Sequence, residues 1–288
     1  MANVNGQRSN TLSQAQVESY RERGILYPLP ALTSAEAGEL HARFQAQADF
    51  LKGRNSQKPH LLFTWLDALV REPRIVDAVE SLLGPNLLCW GSGFFAKPAG
   101  DAAYVSWHQD ATYWGLSSPD VVTAWVALTP STHESGCMQV VAGTHHAQVP
   151  HEDRFEDANL LSRGQEIAVQ VDPNQVIDVE LRPGEMSLHH VLLFHGSEPN
   201  RSAHARVGFA IRYAPTSVRQ LAPIRASARL VRGRDDYGHF ELERSPEADL
   251  HPDAVARHGA IIDRQLRILY AGAQGRGKNN PDRQVVAR

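Results

Sequence analysis

The stretch WHQDATYW, Trp107–Trp114, decides how the rest of the chain is read. It holds His108 and Asp110 two positions apart. On a β-strand alternate side chains point to the same face, so an imidazole and a carboxylate at this spacing can grip one metal ion side by side. Two donors do not make a site, and a lone His-x-Asp is common in polar strands and loops. A third donor is needed, and His195 in HHVLLFHGSEPN (His189–Asn200) is the strongest choice. Two histidines and one carboxylate on one face leave the opposite coordination positions open, as in non-haem Fe(II) oxygenase centres.

The chain around this stretch is of globular composition. Its 288 residues suit one large domain or two small ones, and 42% hydrophobic with 21% charged residues supports a substantial core. A net charge of −3 gives no reason to expect nucleic acid or an anionic membrane as partner. The only two cysteines, Cys89 and Cys137, have apolar flanks and read as buried, reduced thiols rather than a disulfide scaffold. No apolar run approaches membrane-spanning length, MANVNGQRSN lacks a signal-peptide pattern, and the QVVAR ending is no targeting address. The expected location is therefore the cytoplasm, without a membrane partner. Fourteen histidines are too many for a count to select ligands, so spacing must do it.

Taken in order, the chain divides by pattern. Residues 1–10 are polar and expected to be disordered. Residues 11–85 read as helical support. SQAQVESYRERG begins at the N-cap Ser13 and ends at Gly24; TSAEAGELHARFQAQADFL is capped by Thr33 or Ser34; LLFTWLDALV and PRIVDAVESLLG follow, the latter opening on Pro73. From 86 to 215 the pattern becomes short β-branched and aromatic runs broken by Gly, Pro and Ser, which suggests a sandwich or barrel of the jelly-roll class. The polar stretch from His145 to Glu166 reads as a loop over one end. Residues 216–272 hold a mixed segment and a final helix, and 273–288 a mobile tail. The expected fold is mainly β with flanking helices, one domain over 11–272.

Four motifs together resemble the phytanoyl-CoA dioxygenase family of Fe(II)- and 2-oxoglutarate-dependent oxygenases. WHQDATYW is similar to that family's H-x-D strand. TAWVALTPSTHESGCMQVVAGTHH (Thr123–His146) matches its W-x-A-L, G-C-[LM] and G-[ST]-H segment. HGSEPNRSAHAR (His195–Arg206) matches its distal H-x-S, N-x-S and R pattern, and GPNLLCWGSGFFAKP (Gly84–Pro98) the strand leading into the site. Their order and spacing also agree, over well more than half of the chain.

The resemblance implies a double-stranded β-helix, a jelly-roll barrel, with Fe(II) held by His108, Asp110 and His195. It implies 2-oxoglutarate as cosubstrate and O2 as oxidant. Arg206 would bind the distal carboxylate, with Ser197 adding a hydroxyl donor and Trp125 lining the cosubstrate pocket; Gln109 and Lys58 are counted among the cosubstrate contacts. The physics agrees for Arg206. It lies eleven residues after His195, enough for a strand, a turn through EPNRSAH and a return on a neighbouring strand. Its planar fork matches a carboxylate bidentately. Pro183–Glu185 stands where the family more often has Gly-Asp, keeping a carboxylate near the site. Halogenating relatives replace the metal carboxylate by a small residue, so Asp110 favours hydroxylation of an aliphatic C–H with release of succinate and CO2.

The substrate pocket is expected to draw on Tyr113, Trp114, Phe95, His189 and Arg212. The aromatic residues of this region suit an apolar or cationic group, whereas Arg212, at an even offset from Arg206, suits an anion. Two other readings compete: a jelly-roll binding protein without oxygenase chemistry, and a metal enzyme that uses no 2-oxoglutarate. The intact triad with Arg206 argues against the first, and Arg206 with Ser197 separates the second from the oxygenase. Beyond a small-molecule substrate, these residues specify neither its identity nor an oligomeric state.

Overall fold

Local capping sets the helices that precede the barrel. Helix α1 (Gln14–Arg23) starts where the Ser13 side chain accepts from the Gln16 amide and Gln16 reaches back to Ser13. Gly24, at φ 74°, ends it and turns the chain into strand β1 (Ile25–Pro30). Helix α2 (Ser34–Gln47) repeats the reciprocal cap with Thr33 and Glu36. Helices α3 (Thr64–Leu69) and α4 (Pro73–Leu83) follow, Pro73 occupying the first turn, where its missing N–H costs nothing. The computed structural model describes residues 10–271, so the expectations for residues 1–9 and for the 273–288 tail lie outside the described residues. Asn10, expected to be disordered, instead donates to the carbonyls of Pro30 and Arg74.

From Leu87 the chain is β. The strands are β2 (Leu87–Lys97), β3 (Val105–His108), β4 (Val122–Ala127), β5 (Met138–Val141), β6 (His151–Asp153), β7 (Gln165–Ile167), β8 (Val176–Val179), β9 (Glu185–His190), β10 (Phe194–Ser197), β11 (Arg206–Pro215), β12 (Ser227–Arg232) and β13 (Glu241–Leu242); helix α5 (Pro252–Leu269) follows. Seven strands form one sheet in the order β1-β9-β4-β11-β2-β12-β13 and four form a second in the order β3-β10-β5-β8. The cavity between them is lined from both, giving a jelly-roll barrel. The stretch His145–Glu166 is not a plain loop: β6 within it pairs antiparallel with β7 at its end. No helix among the described residues is long and apolar enough to cross a membrane.

Strand β11 shows how the core positions the site. Val207, Phe209, Ile211 and Tyr213 point outward into the core beneath the helices. There Phe94 packs between Phe44 of α2 and Phe209, with ring centroids 4.5 and 4.7 Å away. The alternate residues Arg206, Ala210 and Arg212 point inward and line the cavity. The strand is thus buried on both faces, apolar on one and cationic on the other.

A buried polar network locks the C-terminal segment to the start of the barrel. Lys58 Nζ donates to Glu243 Oε1 at 2.5 Å and to the Ser227 carbonyl at 2.7 Å. His60 joins Glu243 at 3.1 Å and Ser92 of β2 at 2.7 Å. The expected contact of Lys58 with the cosubstrate is therefore corrected: its ammonium is consumed by a carboxylate 185 residues away. Burial would push the Glu243 carboxyl up, but the Lys58 charge and the His60 hydrogen bond hold it down to about 2. A carboxyl with a depressed folded pKa contributes stability above its unfolded value of about 4.3 and loses it as pH falls towards the folded one. Glu243→Gln strands a buried ammonium and is expected to cost on the order of 3 kcal/mol at pH 7 in urea unfolding. That difference should narrow as pH falls from about 4.5 towards 2; a difference of equal size at pH 7 and pH 3 contradicts the ion pair.

Candidate active site

Pairing of β3 with β10 sets His108 directly against His195, their ring centroids 4.0 Å apart. The expected single strand carrying both members of His-x-Asp is corrected in detail. β3 stops at His108, Gln109 stays extended at φ −115°, ψ 131°, and Asp110 opens a short 3₁₀ helix, Asp110–Tyr113. The extended Gln109 still leaves its two neighbours on one side. The strand stops because its next amides bond elsewhere: that of Gln109 to His151 Nε2, and that of Ala111 to the Val191 carbonyl. One donor atom from each of His108, Asp110 and His195 lies within 4.8 Å of the others.

The donor set fits a divalent metal. His108 Nδ1 lies 2.9 Å from the Ser106 carbonyl and His195 Nδ1 3.0 Å from the Leu193 carbonyl. A carbonyl only accepts, so both Nδ1 atoms carry a proton, and in a neutral ring the Nε2 atom then presents its lone pair. Such fixed tautomers orient metal-binding imidazoles. Burial pushes His195 well below the usual histidine range, so it stands neutral. Burial pushes the Asp110 carboxyl up, but the neighbouring charges, that of Arg212 among them, outweigh it and keep the group ionised. Thr123 Oγ1 lies 3.5 Å from Asp110 Oδ2.

The triad borders a cavity of about 430 Å³, including its open mouth. Arg206 lines one end and is 2% exposed. Its Nε has no hydrogen-bond partner, and burial pulls its pKa down to about 10. Arg206 does not return on a strand beside β10, as the spacing suggested; β11 belongs to the other sheet, and the two side chains meet across the cavity. Asn200 makes that crossing possible by donating to the carbonyls of Lys97, Pro98 and His204. Ser197 and Trp125 line the cavity, the indole 5.3 Å from the Arg206 guanidinium carbon. Lys97, opposite Arg206 in the β2–β11 register, donates to Ser197 Oγ at 2.7 Å and to the Glu198 carbonyl. Burial and the Arg206 charge pull Lys97 down to about 7. Lys97 is fully buried behind Ser197, where the register with β11 sets it.

Of the residues expected around the substrate, Phe95, His189 and Arg212 line the cavity. Trp114 is buried, stacks on Trp90 at 4.7 Å, and approaches the cavity through Arg212. Tyr113 lies outside: its hydroxyl donates to Asp153 at 2.6 Å and Arg163 covers its ring at 3.8 Å. Gln109 is also turned away. Its amide nitrogen donates to the Ala147 and Leu192 carbonyls and its oxygen accepts from Val149, so no atom is left for a cosubstrate. Phe94 belongs to the helix-side core, and Glu185 caps the turn at Arg182 rather than approaching the triad.

The family model described as phytanoyl-CoA dioxygenase matches residues 8–208. A curated relative from Stutzerimonas stutzeri, a probable alpha-ketoglutarate-dependent hypophosphite dioxygenase, is 30% identical over 191 residues, covering 65% of this chain and 63% of that protein. The chain thus spans less than two thirds of this relative's length, and 48% of that of a probable phytanoyl-CoA dioxygenase from Caenorhabditis elegans. The solved structure of apo ThoJ, a non-heme monooxygenase, superposes with a TM-score of 0.81 at 36% identity, covering 91% of this chain and all of that one. CytC3 with Fe(II) and alpha-ketoglutarate superposes with a TM-score of 0.66 at 26% identity, covering 85% of this chain and 97% of that one. With the family model matched over most of the barrel and over the triad itself, the chain belongs to the phytanoyl-CoA dioxygenase family.

Proposed function

We propose that this protein is an Fe(II)- and 2-oxoglutarate-dependent dioxygenase that hydroxylates an aliphatic C–H bond of a small-molecule substrate, releasing succinate and CO2. The observation that carries the reading is Arg206, a buried guanidinium without an ion pair among the described residues, aimed into a cavity beside a His-Asp-His cluster. An unpaired buried cation is costly, so the site is built for an anion. The names of the Stutzerimonas relative and of the CytC3 complex support 2-oxoglutarate as that anion. Buried free thiols at Cys89 and Cys137 suit the reducing cytoplasm, which is part of the proposal.

His108, Asp110 and His195 would hold the iron, leaving its remaining positions towards the cavity. Bound there with 2-oxoglutarate and O2, iron supplies an oxidative decarboxylation coupled to hydroxylation of the substrate. The chain's own part is orientation. Arg206 offers two parallel N–H donors to the distal carboxylate of the cosubstrate. Ser197 accepts from Lys97, which leaves its own proton free to donate into the cavity. Trp125 packs over Gly208, where an added Cβ would meet the indole at 1.9 Å, and so walls the cosubstrate from the barrel interior.

Anaerobic addition of 2-oxoglutarate to the Fe(II)-loaded protein should raise the visible charge-transfer band of the chelate. Half-saturation should require at least about tenfold more cosubstrate in Arg206→Ala, the worth of one lost charge-assisted pair. An unchanged requirement sinks the Arg206 assignment, and iron binding without a band favours an enzyme that uses no 2-oxoglutarate. Gly208→Ala drives a methyl group into Trp125. It should weaken 2-oxoglutarate binding and lower thermal stability by about 1–3 kcal/mol, and unchanged binding would remove Trp125 from the cosubstrate wall.

A further inference from the structure

Strand β11 carries two inward arginines, and the reading above uses one of them. Arg206 and Arg212 are six residues apart, an even offset that keeps both on the cavity side, and both line the cavity. The inner positions between them are Gly208 and Ala210, so the strand offers a floor of small residues with a guanidinium at each end. The Arg206 end faces Lys97 across the sheet. The Arg212 end lies in a row with Gly91, Thr123 and His189, beside Asp110.

This second guanidinium runs past Gly91 and Gly93 and makes no ion pair among the described residues. A Cβ at Gly91 would stand 3.5 Å from Arg212 Cδ, and one at Gly93 4.0 Å from Nη1. The Phe95 and Trp114 rings each lie 5.7 Å from its central carbon, holding the fork between two apolar walls. Its Nε is buried without a hydrogen-bond partner, and no ion pair among the described residues includes it. Asp110 feels the charge of Arg212, and a metal bound there would take up that carboxylate's charge. His189, in the same row, lines the cavity, and its Nδ1 also lacks a partner.

Charge balance in the loaded cavity follows. A divalent metal and two guanidiniums would face one aspartate and a doubly charged cosubstrate, which leaves one positive charge over at the Arg212 end. A neutral or cationic substrate would leave that half-buried, cavity-lining cation unpaired. We propose that Arg212 anchors an anionic group of the substrate, a carboxylate or a phosphonate, on the side of the metal away from Arg206. The inference rests on the 2-oxoglutarate reading, which assigns Arg206 to the cosubstrate. A planar fork between aromatic walls suits either oxyanion, and His189 is placed to share a hydrogen bond with the same ligand.

The test uses acetate, methylphosphonate and neutral acetamide with Co(II)-loaded protein at saturating 2-oxoglutarate. The readout is paramagnetic relaxation of the probe's methyl protons, which reports binding near the metal and needs no turnover. At least one anion should show strong relaxation that falls fivefold or more in Arg212→Gln and is partly regained in Arg212→Lys. Acetamide should show little with any of the three proteins. The preferred anion then tells carboxylate from phosphonate substrates. Equal relaxation in wild type and Arg212→Gln, equal relaxation by acetamide, or none by either anion at millimolar concentration overturns the anchor. The Fe(II)–2-oxoglutarate band separates the two failures. Its absence from the wild type sinks the cosubstrate reading, whereas a band that forms without an Arg212 effect sinks the anchor alone.

Discussion

The pairing of His108 with His195 across β3 and β10 is the constraint on which the site depends. Two neutral imidazoles must face each other with their lone pairs converging, and nothing in a histidine side chain ensures that. Backbone carbonyls ensure it here. Ser106 and Leu193, each two residues before its histidine, take the Nδ1 protons and leave the Nε2 atoms free. The donor geometry is therefore a property of the two strands, and an ion binding there would find these side chains already turned towards it.

The larger sheet solves a different problem. It must be apolar towards the helices and charged towards the cavity, and β11 does both by simple alternation. Phe209 and Ile211 hold the strand against α2 and α4 through the outer core, while Arg206 and Arg212 are presented inward on a backbone that cannot shift without disturbing that core. Rigid support matters because a bidentate contact tolerates little misplacement. The Lys58–Glu243 pair extends the same support to β2 through His60 and Ser92, so the C-terminal segment is tied to the strand opposite Arg206.

Much of this was legible in the sequence, and the residues that were not share a cause. His108, Asp110, His195 and Arg206 are marked by short fixed spacings, and period-two alternation sets the inward face of β11. Gln109 and Lys58 misled because their partners are remote: Ala147, Val149 and Leu192 for one, Ser227 and Glu243 for the other. Tyr113 misled for the same reason. The stretch His145–Glu166 reads as a polar loop, yet its β6 strand pairs with β7 and carries Asp153 to the tyrosine hydroxyl. Lys97 is the converse case, a buried residue with no motif around it, placed behind Ser197 only by its register opposite Arg206.

The most direct test of the central claim is a crystal structure grown anaerobically with Co(II) and 2-oxoglutarate, with anomalous data collected at the cobalt edge. The account predicts one strong anomalous peak bonded to His108 Nε2, an Asp110 oxygen and His195 Nε2, with the distal carboxylate of 2-oxoglutarate on Arg206. A peak at other residues, or a cosubstrate whose distal carboxylate lies away from Arg206, would contradict it.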